Sequence, residues 1–109
     1  QERKIVYYDS MGGSDGGLLD KLLRYLDDES QDKLKHPLDA KTSWALRRSS
    51  LYETPRQTNG FDCGVFTVMN ADFLSDNLPL KYSQAHTSLF RQKICANILR
   101  GALDYRLDI

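Results

Sequence analysis

The stretch that decides how this chain is read is QTNGFDCGVF, residues 57–66. A polar turn at Asn59-Gly60 leads into Asp62-Cys63-Gly64, and an apolar run begins at Val65. Residues 63–74 carry Val65, Phe66, Val68, Met69, Ala71, Phe73 and Leu74. VFTVM alone suits a strand, but Met69, Asn70, Ala71 and Asp72 continue a strand poorly. The segment is therefore predicted to be a largely buried helix with apolar residues on several faces. A helix that starts at or just after Cys63 sets the sulfur beside unpaired amides and the positive helix end, which favours thiolate over thiol.

Gly60 and Gly64 flank that position with little bulk, leaving room for an extended chain to approach the backbone. Gln57 lies six residues upstream of the cysteine. If the turn folds back, its amide and the Cys63 N–H can hold the negative oxygen that forms when a thiolate attacks a carbonyl. The same residues also have a plainer reading. An isolated cysteine beside an apolar helix is commonly a small core residue, Asn-Gly is ordinary turn chemistry, and Asp62 serves as a cap or turn acceptor. A nucleophile further needs a base, most often a histidine held by an acid or amide. His36 precedes Pro37 and His86 lies near the start of the last helix, neither with an acidic neighbour at a telling spacing, so both read as surface histidines. Cys95, among Ile94, Ile98 and Leu99, reads as core.

Outward from this stretch, KIVYYD at 4–9 is a short β-rich run with no clear solvent side. SMGGSDGG at 10–17 breaks it and reads as a loop, with Ser14 as N-cap of the next helix and Asp15 in its first turn. Leu18, Leu19, Leu22, Leu23 and Leu26 fall on one side of that helix, which ends by His36-Pro37 because the residue before proline avoids helical backbone. Residues 36–43 read as a connector, residues 44–52 as an irregular extended segment, and residues 53–60 as coil entering the turn. Ser83 is a second cap, leading into a helix with Leu89 or Phe90, Ile94, Ile98 and Ala102 inward and Arg91, Lys93 and Arg100 outward. One strand cannot satisfy its own backbone groups, so either the middle segment or strands outside these residues must pair with it.

Bulk composition excludes several classes. Fifteen basic groups balance fifteen acidic ones in 109 residues, so charge gives no reason to expect nucleic acid or a membrane surface as the main partner. No apolar run approaches a membrane span. The length suits one domain. Two cysteines are too few for a disulfide scaffold, and neither has a partner at metal-ligand spacing. No metal site and no cofactor is expected.

Six fixed positions over eight residues, Gln57, Asn59, Gly60, Asp62, Cys63 and Gly64, match the Q-x-N-G-x-D-C-G motif of the SUMO-specific cysteine proteases of the sentrin/Ulp type. YYDSMGG at 7–13 resembles that family's strand-and-turn segment bearing the catalytic aspartate, and the likeness extends over essentially the whole chain. The resemblance implies an α+β, papain-like cysteine protease fold of the Ulp and adenovirus protease type. It casts Cys63 as nucleophile, Asp9 as the acid that orients the histidine, and Gln57 as oxyanion donor. Gly60, Asp62 and Gly64 become substrate-binding positions. The implied reaction is thiol hydrolysis after the C-terminal Gly-Gly of SUMO, in precursor maturation or release from lysine, in a nuclear or cytoplasmic protein. SUMO and SUMO-conjugated proteins are then the partners.

One departure matters. The family's catalytic histidine, followed by tryptophan, stands on a strand shortly before the aspartate, and this sequence has no His-Trp pair. The expectation is that residues 1–109 are the C-terminal portion of one catalytic domain, helical with part of the sheet. The N-terminal half then supplies the histidine, and the portion alone is expected to be nearly inactive. The competing reading is a non-catalytic module that holds SUMO or another ubiquitin-like modifier without cutting it.

Overall fold

A computed structural model describes residues 2–49 and 53–103. Its contacts divide into two units, Gln1–Asp9 with Gly13–Ser49, and Ser10–Gly12 with Ser50–Ile109.

The first unit answers the question of the lone strand. β1, Lys4–Tyr7, pairs in parallel with β2, Ala45–Arg48, in the register Lys4 to Ala45 through Tyr7 to Arg48. The middle segment thus supplies the partner. Parallel strands need a long crossover, and it is provided by α1, Leu18–Leu34, and a short helix α2, Ala40–Ser43. The connector expected at 36–43 therefore contains a helical turn. It is tied down where the Ala40 N–H donates to Asp27 Oδ1 at 2.9 Å, and Ala40 is fully buried.

The start of α1 differs from the expected cap. Gly17, in left-handed backbone at φ 82°, precedes the helix. Capping falls to Asp15 rather than Ser14: its carbonyl accepts from the Leu18 N–H and its Oδ2 from the Leu19 N–H, while Arg48 grips Oδ1. The Leu19 amide first, then Arg48, hold the Asp15 carboxyl below its ordinary range. Two glycines between Asp15 and Leu18 make this reach possible, whereas the carbonyl of Ser14 accepts from the Tyr7 hydroxyl. Leu19 and Leu23 are buried and Leu26 is half-buried, but Leu18 and Leu22 face outward, so the apolar stripe is narrower than the leucine spacing predicts. The helix ends at Lys35, itself left-handed, ahead of His36-Pro37 as expected.

The second unit is built on α3, Cys63–Ser75, and α4, Thr87–Arg100, joined through a 3-10 turn at Gln84–His86. Its core is Val65, Phe66, Met69, Phe73, Tyr82 and Phe90. Tyr82 is the wedge: its ring lies 5.6 Å from that of Phe66 and 5.4 Å from those of Phe73 and Phe90, the last edge-on. Its hydroxyl sits 3.1 Å from the Phe66 carbonyl and 2.5 Å from Asn70 Oδ1, so the one polar group carried into the cluster is satisfied. Burial pushes the Tyr82 phenol well above its ordinary range. Ser83 does begin the helical segment, in a capping box with His86.

Three expectations for this unit are corrected. α3 is a helix, but it is buried on one side only, with Val68 and Leu74 exposed. α4 is buried only at Thr87 and Phe90, in its first turn, so Ile98 and Ala102 do not point inward. Cys95 is exposed and is not a core residue. The buried core closes on Tyr82 and Phe90 near the N-terminal end of α4, and the residues farther along that helix are not buried. Phe61, Val68, Ile94, Cys95, Ile98 and Leu99 line a groove of about 610 Å³ there.

Candidate active site

The residues of the 57–64 motif come together in the second unit, around the start of α3. That helix begins at Cys63, with Asp62 as its cap position and no side-chain cap bond. The Phe66 N–H returns to the Asp62 carbonyl at 3.1 Å. The amides of Cys63, Gly64 and Val65 come before that first bond and have no acceptor among the described residues, as expected of a helix's first turn. The cysteine is exposed. The sequence thus predicts its setting correctly, at the amino end of a helix and open to solvent.

The turn that delivers the cysteine is held by side chains. Asn59 Oδ1 accepts from the N–H groups of Phe61 and Asp62 at 3.2 and 3.0 Å, an Asx turn that sets the backbone just before the helix. Asn59 Nδ2 donates to Asp62 Oδ2 at 2.7 Å. Gln57 is buried beneath this turn: its Nε2 donates to the Asn59 carbonyl at 2.7 Å, and its Oε1 accepts from Ser10 Oγ at 2.5 Å. The Gln57 N–H also donates to the Ser10 carbonyl. Beside it, Arg56 Nη2 donates to the Met11 carbonyl at 2.9 Å.

Asp62 is 3% exposed, and its carboxylate turns into the protein. Oδ2 accepts from Asn59 and from Gln84 Nε2, both at 2.7 Å, and Oδ1 accepts from Arg91 Nε at 2.9 Å and Nη2 at 2.5 Å. Hydrogen bonds from Asn59 and then Arg91, helped by Gln84, hold its carboxyl down to about 2 against the opposing effect of burial. Gln84 and Arg91 are the residues that reasoning from the sequence missed. Helical spacing sets Arg91 on the outer side of α4, and 29 residues separate it from its partner. No local pattern carries such a contact.

Gly60 and Gly64 are open. A side-chain carbon added at either would meet nothing within 4 Å, and neither has the left-handed backbone that would itself demand glycine. Nothing within the described residues accounts for glycine at these positions.

Asp9 belongs to the first unit, just past β1, and is half-buried. Its Oδ2 accepts from the Gly13 N–H at 2.8 Å and from the Tyr7 hydroxyl at 3.4 Å. Burial first, and then the Asp9 charge, push the Tyr7 phenol upward. A side-chain carbon on Gly13 would fall 2.8 Å from the same carboxylate oxygen, so only glycine leaves room for this bond. The histidines are engaged elsewhere: His36 is exposed, and His86 Nδ1 accepts from the Ser83 N–H at 3.0 Å. Among the described residues no three of His, Cys, Asp and Glu gather as metal ligands would.

Known proteins resemble this chain over nearly its whole length. Ubiquitin-like-specific protease ESD4 of Arabidopsis thaliana is 38% identical over 104 residues, which cover 95% of this chain and 21% of that protein. Sentrin-specific protease 2 of Homo sapiens is 36% identical over 103 residues, 94% of this chain and 17% of the relative. A sentrin-specific protease of Caenorhabditis elegans is 31% identical over 102 residues, covering 94% and 14%. The chain therefore spans about a fifth or less of the length of these relatives. The family model described as "Ulp1 protease family, C-terminal catalytic domain" matches residues 1–103. With an α+β portion of that fold and its cysteine motif at the head of a helix, this chain belongs to the Ulp1 protease family.

Proposed function

We propose that these residues form the C-terminal portion of the catalytic domain of a SUMO-specific cysteine protease. The observation that carries the reading is the exposed sulfur of Cys63 on the first residue of α3, beside amides without acceptors and two glycines that open onto empty space. The names of the relatives, ubiquitin-like-specific and sentrin-specific proteases, point to the substrate class.

In this reading Cys63 attacks the carbonyl carbon of the last glycine in the modifier's C-terminal Gly-Gly. Its N–H and a Gln57 N–H steady the oxyanion. A histidine from outside these residues, oriented by Asp9, takes the thiol proton and gives it to the departing amine. The carbon–nitrogen bond breaks, leaving a thioester that water hydrolyses. Gly60 and Gly64 leave the space for the Gly-Gly backbone, and Asp62 shapes that strip through its backbone, since its carboxylate is occupied. The same chemistry serves precursor maturation and release from lysine. The missing half of the domain and SUMO are the partners, and the nucleus is the proposed location.

The test is capture. SUMO bearing an electrophile at its C-terminal glycine is incubated with this chain, alone and with the histidine-bearing segment supplied. The expected result is a covalent adduct at Cys63 that requires the added segment for full rate and is lost in Cys63→Ser. Tight binding with no adduct in either case would instead make the protein a modifier-holding module.

A further inference from the structure

The Asp62 carboxylate has four side-chain donors on its two oxygens. That fills the acceptor capacity of a carboxylate, in the residue immediately before Cys63. Asn59 belongs to the same turn, but Gln84 and Arg91 come from another part of the chain, 22 and 29 residues on. Gln84 also reaches two points of the turn at once, since its Oε1 accepts from the Thr58 N–H at 2.9 Å while its Nε2 serves Asp62. Its own position is fixed by Thr87, whose hydroxyl lies 3.1 Å from Nε2 and bonds back to the Gln84 carbonyl. Arg91 Nη2 adds a contact of 3.4 Å to the Phe61 carbonyl. Thr58, Phe61 and Asp62 are thus gripped from the 3-10 turn and α4, and Gln57, Asn59 and Asp62 are bonded in series within the turn.

We propose that Arg91 and Gln84 are positioning residues for thiol catalysis, clamping Asp62 so that the turn from Gln57 to Cys63 keeps sulfur and oxyanion donors in one fixed arrangement. The proposal rests on the protease reading above. Neither residue touches the reacting atoms. The turn has no regular secondary structure of its own over residues 55–62, so its shape depends on these side-chain ties. Without Arg91, a buried carboxylate next to the nucleophile loses its counter-charge and turns to find water, carrying the Cys63 backbone with it. Two nitrogens of one guanidinium edge meet Oδ1, whereas an ammonium offers that oxygen a single nitrogen.

The experiment uses the intact catalytic domain, histidine segment included, with SUMO joined at its C-terminal glycine to a fluorogenic amine. Arg91→Gln and Gln84→Ala are each expected to lower kcat by about 100-fold, the scale of an ångström of misplacement, with KM within about twofold. Arg91→Lys is expected to recover little, and millimolar guanidinium added to Arg91→Ala is expected to restore part of kcat. Rates are taken per captured active site, and melting temperatures are recorded, so that loss of folded protein is not counted as loss of rate. The clamp is overturned if kcat per active site stays at the unmodified value, or if Arg91→Lys is fully active. An unmodified domain that neither turns over nor is captured overturns the protease reading and the clamp together, whereas normal turnover by Arg91→Gln overturns the clamp alone.

Discussion

Gln57 Nε2 donates to the carbonyl of Asn59 at 2.7 Å, bridging the turn from beneath. An amide nitrogen has two hydrogens, and the second has no acceptor among the described residues. Gln57 therefore has one hydrogen that holds the loop, and the other is the one proposed above to meet the substrate oxygen. Gln57→Glu removes the donor while keeping the size. Its expected effect is a fall in kcat of about 100- to 1000-fold, measured by turnover of the fluorogenic SUMO amide. A fall below tenfold would remove Gln57 from the oxyanion site.

Glycines 60 and 64 give the sharpest contrast between stability and activity. Alanine at either meets open space and ordinary backbone, so melting temperature is expected to hold or rise, by up to about 1 kcal/mol in stability at Gly64 inside the helix. Catalytic efficiency is expected to fall about tenfold or more, because the added methyl group holds the substrate carbonyl off the sulfur. Unchanged efficiency in both variants would mean that the substrate does not pass over them.

The Asp62 network sets an acid dependence. Its carboxyl is lowered from 3.8 to about 2, so its contribution to stability is complete above about pH 4 and is lost as the pH falls toward 2. Asp62→Asn is expected to melt below the unmodified protein at pH 7, with the gap closing between pH 4 and pH 2. A gap that stays constant across that range would show that the carboxylate charge is not what holds the turn.

In the core, Phe66→Ala is expected to cost about 3–5 kcal/mol, as for other fully buried aromatics. Tyr82→Phe, which leaves Asn70 and the Phe66 carbonyl without their proton, is expected to cost about 1–3 kcal/mol by denaturant titration. The raised Tyr82 phenol works in the other direction of pH. Its contribution is present below the unfolded tyrosine's value near 10 and fades as the pH rises beyond it. Tyr82→Phe should therefore narrow its deficit in strong alkali.

Gly13→Ala addresses the acid. A methyl group there displaces the Asp9 carboxylate from the Gly13 amide. The expected outcome is a lower kcat for SUMO hydrolysis with little change in KM, since Asp9 is proposed to act on the histidine and not on the substrate.

What the sequence made legible follows the range of the forces involved. The turn at Asn59-Gly60, the helix from Cys63, the end of α1 before Pro37 and the Ser83 cap are all set by neighbours within a few residues, and each stands where the pattern put it. The sequence shows β2 only as extended, because Ala45–Arg48 gains its identity from pairing with β1, across the whole crossover. Helical spacing alone sets Ile98 inward and reads Cys95 as core. Spacing gives the face of a helix but not what lies against it, and here the Tyr82 wedge, from a proline-containing connector with no periodicity, took that place. The grip of Arg91 on Asp62 was out of reach for the same reason.

Arg91 and Ile98 stand two turns apart on α4, about 10 Å along its axis at 1.5 Å per residue. Both line the same apolar groove, and Arg91 also reaches the Asp62 carboxylate. A single guanidinium therefore faces two ways, closing one side of the apolar groove while its nitrogens hold the carboxylate that precedes Cys63.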